Sequence, residues 1–268
     1  MIKMKPERNS EMSMADLRKK IDVIDAKLVR LLSDRAKITQ HIGEIKTKGN
    51  KPVYAPDREK KVFDKIKGLN RGPLSDESLV AVYREIMSGS LKLESQPVIA
   101  FLGPEHTFTH QASVQKFGHS VDYSPCQTIG DVFKDVENGR SDYGVVPVEN
   151  STEGTIYFTL DSFIRSDLKI CAEIVMRIKL DLMSKENSLK SVNRIYSNQA
   201  VFGQCRKWFA AQMPGIDLIP VASTAAGARM AASEKGAACI ASGIVSKENK
   251  LKVLARNIQD SVSNTTRF

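Results

Sequence analysis

DLRKKIDVIDAKLVRLLSDRAKITQHIGEIK, residues 16–46, is the stretch that decides the fold of the N-terminal third. Leu17, Ile21, Ile24, Leu28, Leu31, Ile38, Ile42 and Ile45 recur at an alternating four-three spacing, the seam of a long amphipathic helix. Arg35 stands at the position that completes the series between Leu31 and Ile38. A guanidinium stays charged, and unpaired in a buried seam it costs several kcal/mol, so an anion must meet it there. That anion is either a protein carboxylate, such as Asp34, or a ligand. Lys46 follows about three turns and roughly 16 Å later on the same face, so the two cations can converge on a small dianion. Arg18 lies roughly 25 Å the other way, beyond the reach of one small molecule, and suits a second site built with a partner chain. In the plainer reading, Arg18 and Lys46 are solvated helix-face charges.

The 268 residues suffice for two modest domains with real cores. No apolar run approaches the ~18 residues of a membrane span. The opening MIKMKPERNSEM has no apolar segment behind its charges, so it is read as a fraying tail and not as a secretory signal. Cys126, Cys171, Cys205 and Cys239 are scattered without a CxxC pair, which indicates neither a disulfide framework nor a zinc site and fits a reducing cytoplasm. His106 and His110 lack the partners of an HExxH metal site. The net charge of +9 is uneven, with 21 Lys/Arg against 14 Asp/Glu in residues 1–95 and 19 against 17 in the rest. Few aromatic residues interleave with the basic ones, so an anionic metabolite explains the excess more economically than nucleic acid does.

The first helix stops at Gly49-Asn50-Lys51-Pro52. A second is expected over 57–67 and a third over about 75–93, with Ser75 a weak cap and Asp76 and Glu77 suited to a helix start. Three helices, one over-long, make a poor solitary globule, and pairing with a second copy would bury the seam. After Gln96-Pro97 short apolar runs alternate with amphipathic segments. Strands are expected at 98–102, 144–148, 169–176, 194–196, 218–221, 238–241 and 252–255, an α/β domain with a largely parallel sheet. The junctions after these strands are rich in hydroxyls and amides: Thr107, Thr109, Asn150, Ser151, Thr152, Ser197, Ser223 and Thr224. They either cap helices or line one anion-binding cleft.

Residues 15–95 resemble the all-helical chorismate mutase family through LRKKI (17–21), LLSDRAKI (31–38), GEIK (43–46), DREKKV (57–62) and REIMSGSLKLE (84–94). The resemblance implies an all-α module of three helices, an intertwined homodimer that rearranges chorismate to prephenate. It also implies that Arg35 and Arg18 of the partner subunit hold the substrate carboxylates, with Arg58 nearby and Ser90 assisting. Lys46 and Glu94 would bond the ether oxygen, and Glu59 the ring hydroxyl. To serve the ether oxygen Glu94 must donate, so the mutase rate should fall as that proton is lost. Ala55 stands where some members have an acid.

Residues 96–268 are similar to prephenate dehydratases through GPEHTFTHQA (103–112), VPVENSTEGTI (146–156), VFGQCRKW (201–208), ASTAAGARMA (222–231) and NTTRF (264–268). This second resemblance implies an α/β domain of two lobes, like periplasmic binding proteins, with prephenate between them losing carbon dioxide and water. Thr266 would protonate the leaving hydroxyl. Asn150, Ser151, Ser197 and Gln204 would position substrate, Thr107 and Arg267 would bind carboxylates, and Phe268 would pack the cleft. After Ser197 the usual His-Pro-Gln is replaced by Asn198-Gln199-Ala200. The family continues past the TRF motif into a phenylalanine-binding ACT domain, so the expectation here is no feedback by phenylalanine and a weakened dehydratase half. Together the two resemblances imply a cytoplasmic enzyme of phenylalanine biosynthesis without cofactor, metal, nucleic acid or membrane. Two other readings stay open: a ligand sensor that binds without turnover, and a protein in which only the mutase works.

Overall fold

The computed structural model describes residues 12–49 and 54–268, so of the expected flexible tail, residues 1–14, the first eleven lie outside it, as do positions 50–52 of the helix stop. The described residues divide into two compact units, one formed by those through Tyr54 with Leu93–Ser95, the other by Ala55–Lys92 with Gln96–Phe268. In the first unit, helix α1 (Met14–Lys48) starts at Ser13, whose hydroxyl accepts the Asp16 N–H, and ends at Gly49. Gly43 is buried because a Cβ there would stand 3.0 Å from Glu94 Cα. The eight seam residues are between 40% and 70% exposed.

In the second unit, α2 (Pro56–Leu69) begins on a proline, which suits the first helical turn. Helix α3 (Asp76–Ser95) is capped by Ser75, which accepts the Ser78 N–H at 3.2 Å. Next come β1 (Val98–Leu102), α4 (Phe108–Phe117), β2 (Asp122–Cys126), α5 (Ile129–Glu137) and β3 (Tyr143–Val145). These form a parallel sheet of order β2-β1-β3, with the apolar β1 in the middle. The chain continues through β4 (Glu149–Asn150), β5 (Gly154–Thr155), α6 (Tyr157–Arg165), β6 (Val175–Arg177) and β7 (Asp181–Ser184). A second lobe follows: β8 (Arg194–Ser197), α7 (Gln199–Gly203), α8 (Arg206–Gln212), β9 (Asp217–Pro220), α9 (Thr224–Ser233), β10 (Ala237–Ala241), α10 (Val245–Glu248) and β11 (Lys252–Ala255). The last strand is β12 (Thr265–Arg267).

The single, largely parallel sheet expected from sequence is instead three sheets. The second lobe has the order β11-β7-β10-β8-β9, in which β7 runs antiparallel to both neighbours. A small antiparallel sheet of order β5-β4-β12-β6 gathers short strands from distant parts of the chain. The run read as 144–148 is broken because Pro147 has no N–H for a ladder, so β3 ends at Val145 and β4 starts anew. Of the run 169–176, only its end pairs, in β6.

The second-lobe core lies on both faces of its sheet. Leu180, Leu182, Ile195, Phe202, Phe209 and Ile240 fill one side, and Met183, Tyr196, Ala228, Ala231 and Val245 the other. On that second side α9 lies against β8 so closely that a Cβ on Gly227 would meet the Tyr196 carbonyl oxygen at 2.8 Å. Gly227→Ala should therefore lower stability by about 1–3 kcal/mol, read as a lower urea midpoint with an unchanged slope. Gly68→Ala, where nothing lies within 4 Å, should be neutral or stabilising.

Candidate active sites

The chain's last strand is held by one buried amide. Asn150 on β4 accepts the backbone N–H groups of Thr152 and Glu153 on its Oδ1, at 2.9 and 3.1 Å. Because backbone N–H groups only donate, this fixes which end of the amide is oxygen. Its Nδ2 therefore points at β12 and donates to Thr266 Oγ1 at 2.8 Å, Asn264 Oδ1 at 3.0 Å and the Thr265 carbonyl at 3.2 Å. Asn264 passes the chain on, donating from Nδ2 to Gln204 Oε1 at 2.7 Å. Asn150, Gln204, Asn264 and Thr266 are all buried. Ser151 adds a clamp from the neighbouring position, where its Oγ accepts the Thr265 N–H at 3.0 Å and donates to the Ser263 carbonyl at 3.3 Å. The structure thus gathers Asn150, Ser151, Gln204 and Thr266, with Asn264 at their centre.

Strand alternation separates Arg267 from this group. Thr266 pairs with Asn150 on one side and Met176 on the other, so these three side chains share a face. Arg267 turns to the opposite, exposed face, where its Nε donates to Glu173 Oε1 at 2.7 Å and Glu149 lies 3.9 Å away. Phe268 is buried and exchanges both backbone bonds with Ile174. Beside it is a cavity of about 550 Å³, lined largely by Phe117, Val132, Phe133, Val146 and Phe163. Thr107 caps α4, accepting the His110 N–H and donating to the Leu102 carbonyl at 3.2 Å. Ser197 ends β8, fully buried, its hydroxyl donating to the Ile240 carbonyl at 2.7 Å.

In the helical part, Lys46 Nζ on α1 donates to Glu94 Oε2 at 2.8 Å, and both side chains are largely withdrawn from solvent. Arg35 is half-buried on α1, while Arg18 is exposed. On α2, Arg58 is exposed and Glu59 is buried, where it accepts from Lys116 Nζ of α4 at 2.7 Å. Ser90 on α3 donates to the Ile86 carbonyl at 2.8 Å. The sequence reading missed two partners, Asn264 and Lys116. Asn264 opens the NTTRF run that was quoted, but a three-residue strand carries no periodicity to single it out.

Other chemistries have less support. Burial pushes the Cys126 thiol up to about 11 and those of Cys205 and Cys239 up to about 12, so at neutral pH none of the three is a thiolate. Among the described residues no group of three His, Cys, Asp or Glu side chains is placed to hold a metal ion. None of the described helices is long and apolar enough to cross a membrane.

Comparison with known proteins assigns a family to each part of the sequence. Residues 17–95 match the family model of chorismate mutase type II, and residues 99–268 that of prephenate dehydratase. A bifunctional chorismate mutase/prephenate dehydratase of Aquifex aeolicus is 47% identical over 259 residues, covering 95% of this chain and 72% of its own length. The crystal structure of the prephenate dehydratase of Arthrobacter aurescens in complex with L-Phe is similar with 33% identity and a TM-score of 0.59, over 64% of this chain and 58% of that one. That of Staphylococcus aureus has 28% identity and a TM-score of 0.55, over 63% and 64%.

The amide network makes a stability prediction. Asn150→Ala leaves the buried Asn264 and Thr266 oxygens without their donor and frees two part-buried backbone N–H groups, so it should cost about 2 kcal/mol in urea unfolding.

Proposed function

The chain belongs to the bifunctional chorismate mutase/prephenate dehydratase family, and on that premise we propose which of its groups act in each half. It is an enzyme of phenylalanine biosynthesis, in which the helical half rearranges chorismate to prephenate and the α/β half converts prephenate to phenylpyruvate.

In the second reaction the ring carboxylate leaves as carbon dioxide, its bonding pair flows into the ring, and hydroxide departs from the opposite carbon. One proton turns that hydroxide into water, and Thr266 supplies it. A threonine hydroxyl is a poor acid, and the observation that carries the reading is how Asn150 compensates. By donating to Thr266 Oγ1 it occupies a lone pair, aims the O–H elsewhere and stabilises the developing alkoxide. Gln204, reached through Asn264, positions substrate together with Ser151 and Ser197. Thr107 at the start of α4, with its helix N-terminus, receives a carboxylate, whereas Arg267 faces away from Thr266 and is engaged by Glu173, so the carboxylate role its motif implies is not carried over. Phe268 packs the cleft.

The first reaction is pericyclic and needs no nucleophile, only a frozen chair and stabilisation of charge on the breaking C–O bond. The Lys46–Glu94 pair supports this role, because both groups already face one point: an ether oxygen placed there accepts from Lys46 directly, and from Glu94 once that carboxyl is protonated. Arg35, Arg58, Glu59 and Ser90 keep the substrate-holding roles implied by their motifs, with Arg18 reaching the site of the partner subunit. A homodimer through α1 accounts for eight large apolar side chains left open to water on a single chain. The mutase domain is taken as 15–95, the dehydratase domain as 96–268, and the compartment as cytoplasmic.

Supplied with chorismate, the purified chain should consume it and release phenylpyruvate. Thr266→Ala should stop phenylpyruvate formation while prephenate accumulates at the unmodified rate, whereas retained dehydratase turnover would remove Thr266 from the mechanism. Ile24→Glu should turn the dimer into a monomer by sedimentation, lower chorismate turnover by about 100-fold and change the dehydratase rate less than about twofold. A fully active monomeric mutase would overturn the shared site.

A further inference from the structure

The loop that leads into Thr107 is held by a histidine that neither reaction uses. His106 has a backbone φ of 67°, the left-handed region that favours glycine, so something must hold it there. Its N–H donates to Nδ1 of His110, one turn into α4, at 3.0 Å. The His110 ring cannot swing away. It stacks on the fully buried Phe101 with centroids 4.7 Å apart and meets the edge of Tyr123 at 5.5 Å. To accept this bond Nδ1 must be bare, so the ring is neutral with its proton on Nε2.

We propose that His110 is a positioning residue of the dehydratase site, holding the 103–106 loop, and through it Thr107, in its substrate-binding place only while the imidazole is uncharged. Protonation would set two N–H groups against each other, release His106 from its left-handed conformation and loosen the helix start at which Thr107 sits. The ionisable groups facing the ring are Glu105 and His106 of the loop, His119 beyond the end of α4, and Tyr123 of β2, with Glu85 of α3 bonded to His119. Burial first, and then the charge of His106, hold the His110 pKa below the ordinary histidine value, so the ring is neutral at pH 7 and becomes charged only on acidification. The inference rests on Thr107 belonging to the prephenate site.

The test follows dehydratase kinetics of the whole chain with prephenate between about pH 5.5 and 8, after subtracting uncatalysed aromatisation. The unmodified protein should show a KM that rises at the acid end with a smaller change in kcat. Asn at this position places an amide oxygen where Nδ1 was but cannot titrate, so His110→Asn should keep KM within about threefold and flatten its acid rise. His110→Leu should raise KM by about tenfold at every pH while chorismate turnover stays unchanged, which also reports that the chain is folded. Ring ¹⁵N shifts of the unmodified protein should show the Nε2–H tautomer at pH 7, a readout independent of any variant. An acid rise that persists in His110→Asn, a normal KM in His110→Leu, or a protonated Nδ1 at pH 7 would each overturn the proposal. Thr107→Ala separates the premise from the inference. A raised KM there with a normal His110→Leu leaves the Thr107 reading standing and removes His110, whereas a normal KM in Thr107→Ala with a raised one in His110→Leu removes the route through Thr107.

Discussion

Strand β12 is three residues long, too short to be held by its ladder bonds or its apolar area, and yet it carries Thr266, the hydroxyl proposed as the proton donor of the dehydratase half. Asn150 resolves this by using both ends of one amide. Two backbone donors lock the oxygen, and the nitrogen then reaches three acceptors on β12 or just before it. A buried polar group is costly when unpaired and rigid when fully paired, so a satisfied network can fix the position of Thr266 where apolar packing could not. Gln204 and Asn264 extend the same logic into the second lobe, tying the small antiparallel sheet to the end of α7.

The helical half works from the opposite physical extreme. Its chemistry rests on full charges, and the pair visible within one compact unit, Lys46 with Glu94, is brought together by close backbone approach. Gly43 on α1 leaves no room for a side chain beside Glu94. Charges in such a pair need shelter from water to act strongly, and an apolar stripe as exposed as that of α1 is a surface waiting to be covered. The apolar stripe left exposed on a single chain is therefore the same surface that would enclose the site once covered.

What could be read in advance divides along the same line. The helices of the first ninety-five residues were legible because a repeat of apolar positions sustained over many turns outweighs local noise, and Ser75 and Gly49 stand where caps were expected. Strands β1, β8, β9, β10 and β11 were legible as apolar runs. Strand β2 was not, since Asp122, Ser124 and Pro125 disguise it, and proline is tolerated there only because β2 is an edge. Strand β7 was hidden by Asp181 and Ser184, polar residues that are nevertheless buried. The role proposed for Thr266 was reachable only through resemblance, because no pattern in three residues announces a proton donor. Asn264 and Lys116 were missed because their importance lies in a partner far along the chain.

One question left open by sequence was whether the hydroxyls at the strand ends cap helices or bind anions, and the capping seen in the structure is compatible with both. Of the residues named there, Thr107 and Ser223 cap the helices that follow them, α4 and α9. Capping pins each side chain at the spot where free helix N–H groups converge, which is also where a carboxylate is best received. A residue with one local bond still has capacity to spare: Thr107 Oγ1 accepts one N–H and donates to Leu102, keeping a lone pair, and its backbone N–H remains part of the helix start. Capping thus prepares the position, and the dehydratase half needs such preparation because its substrate brings two carboxylates that must be held while one of them leaves.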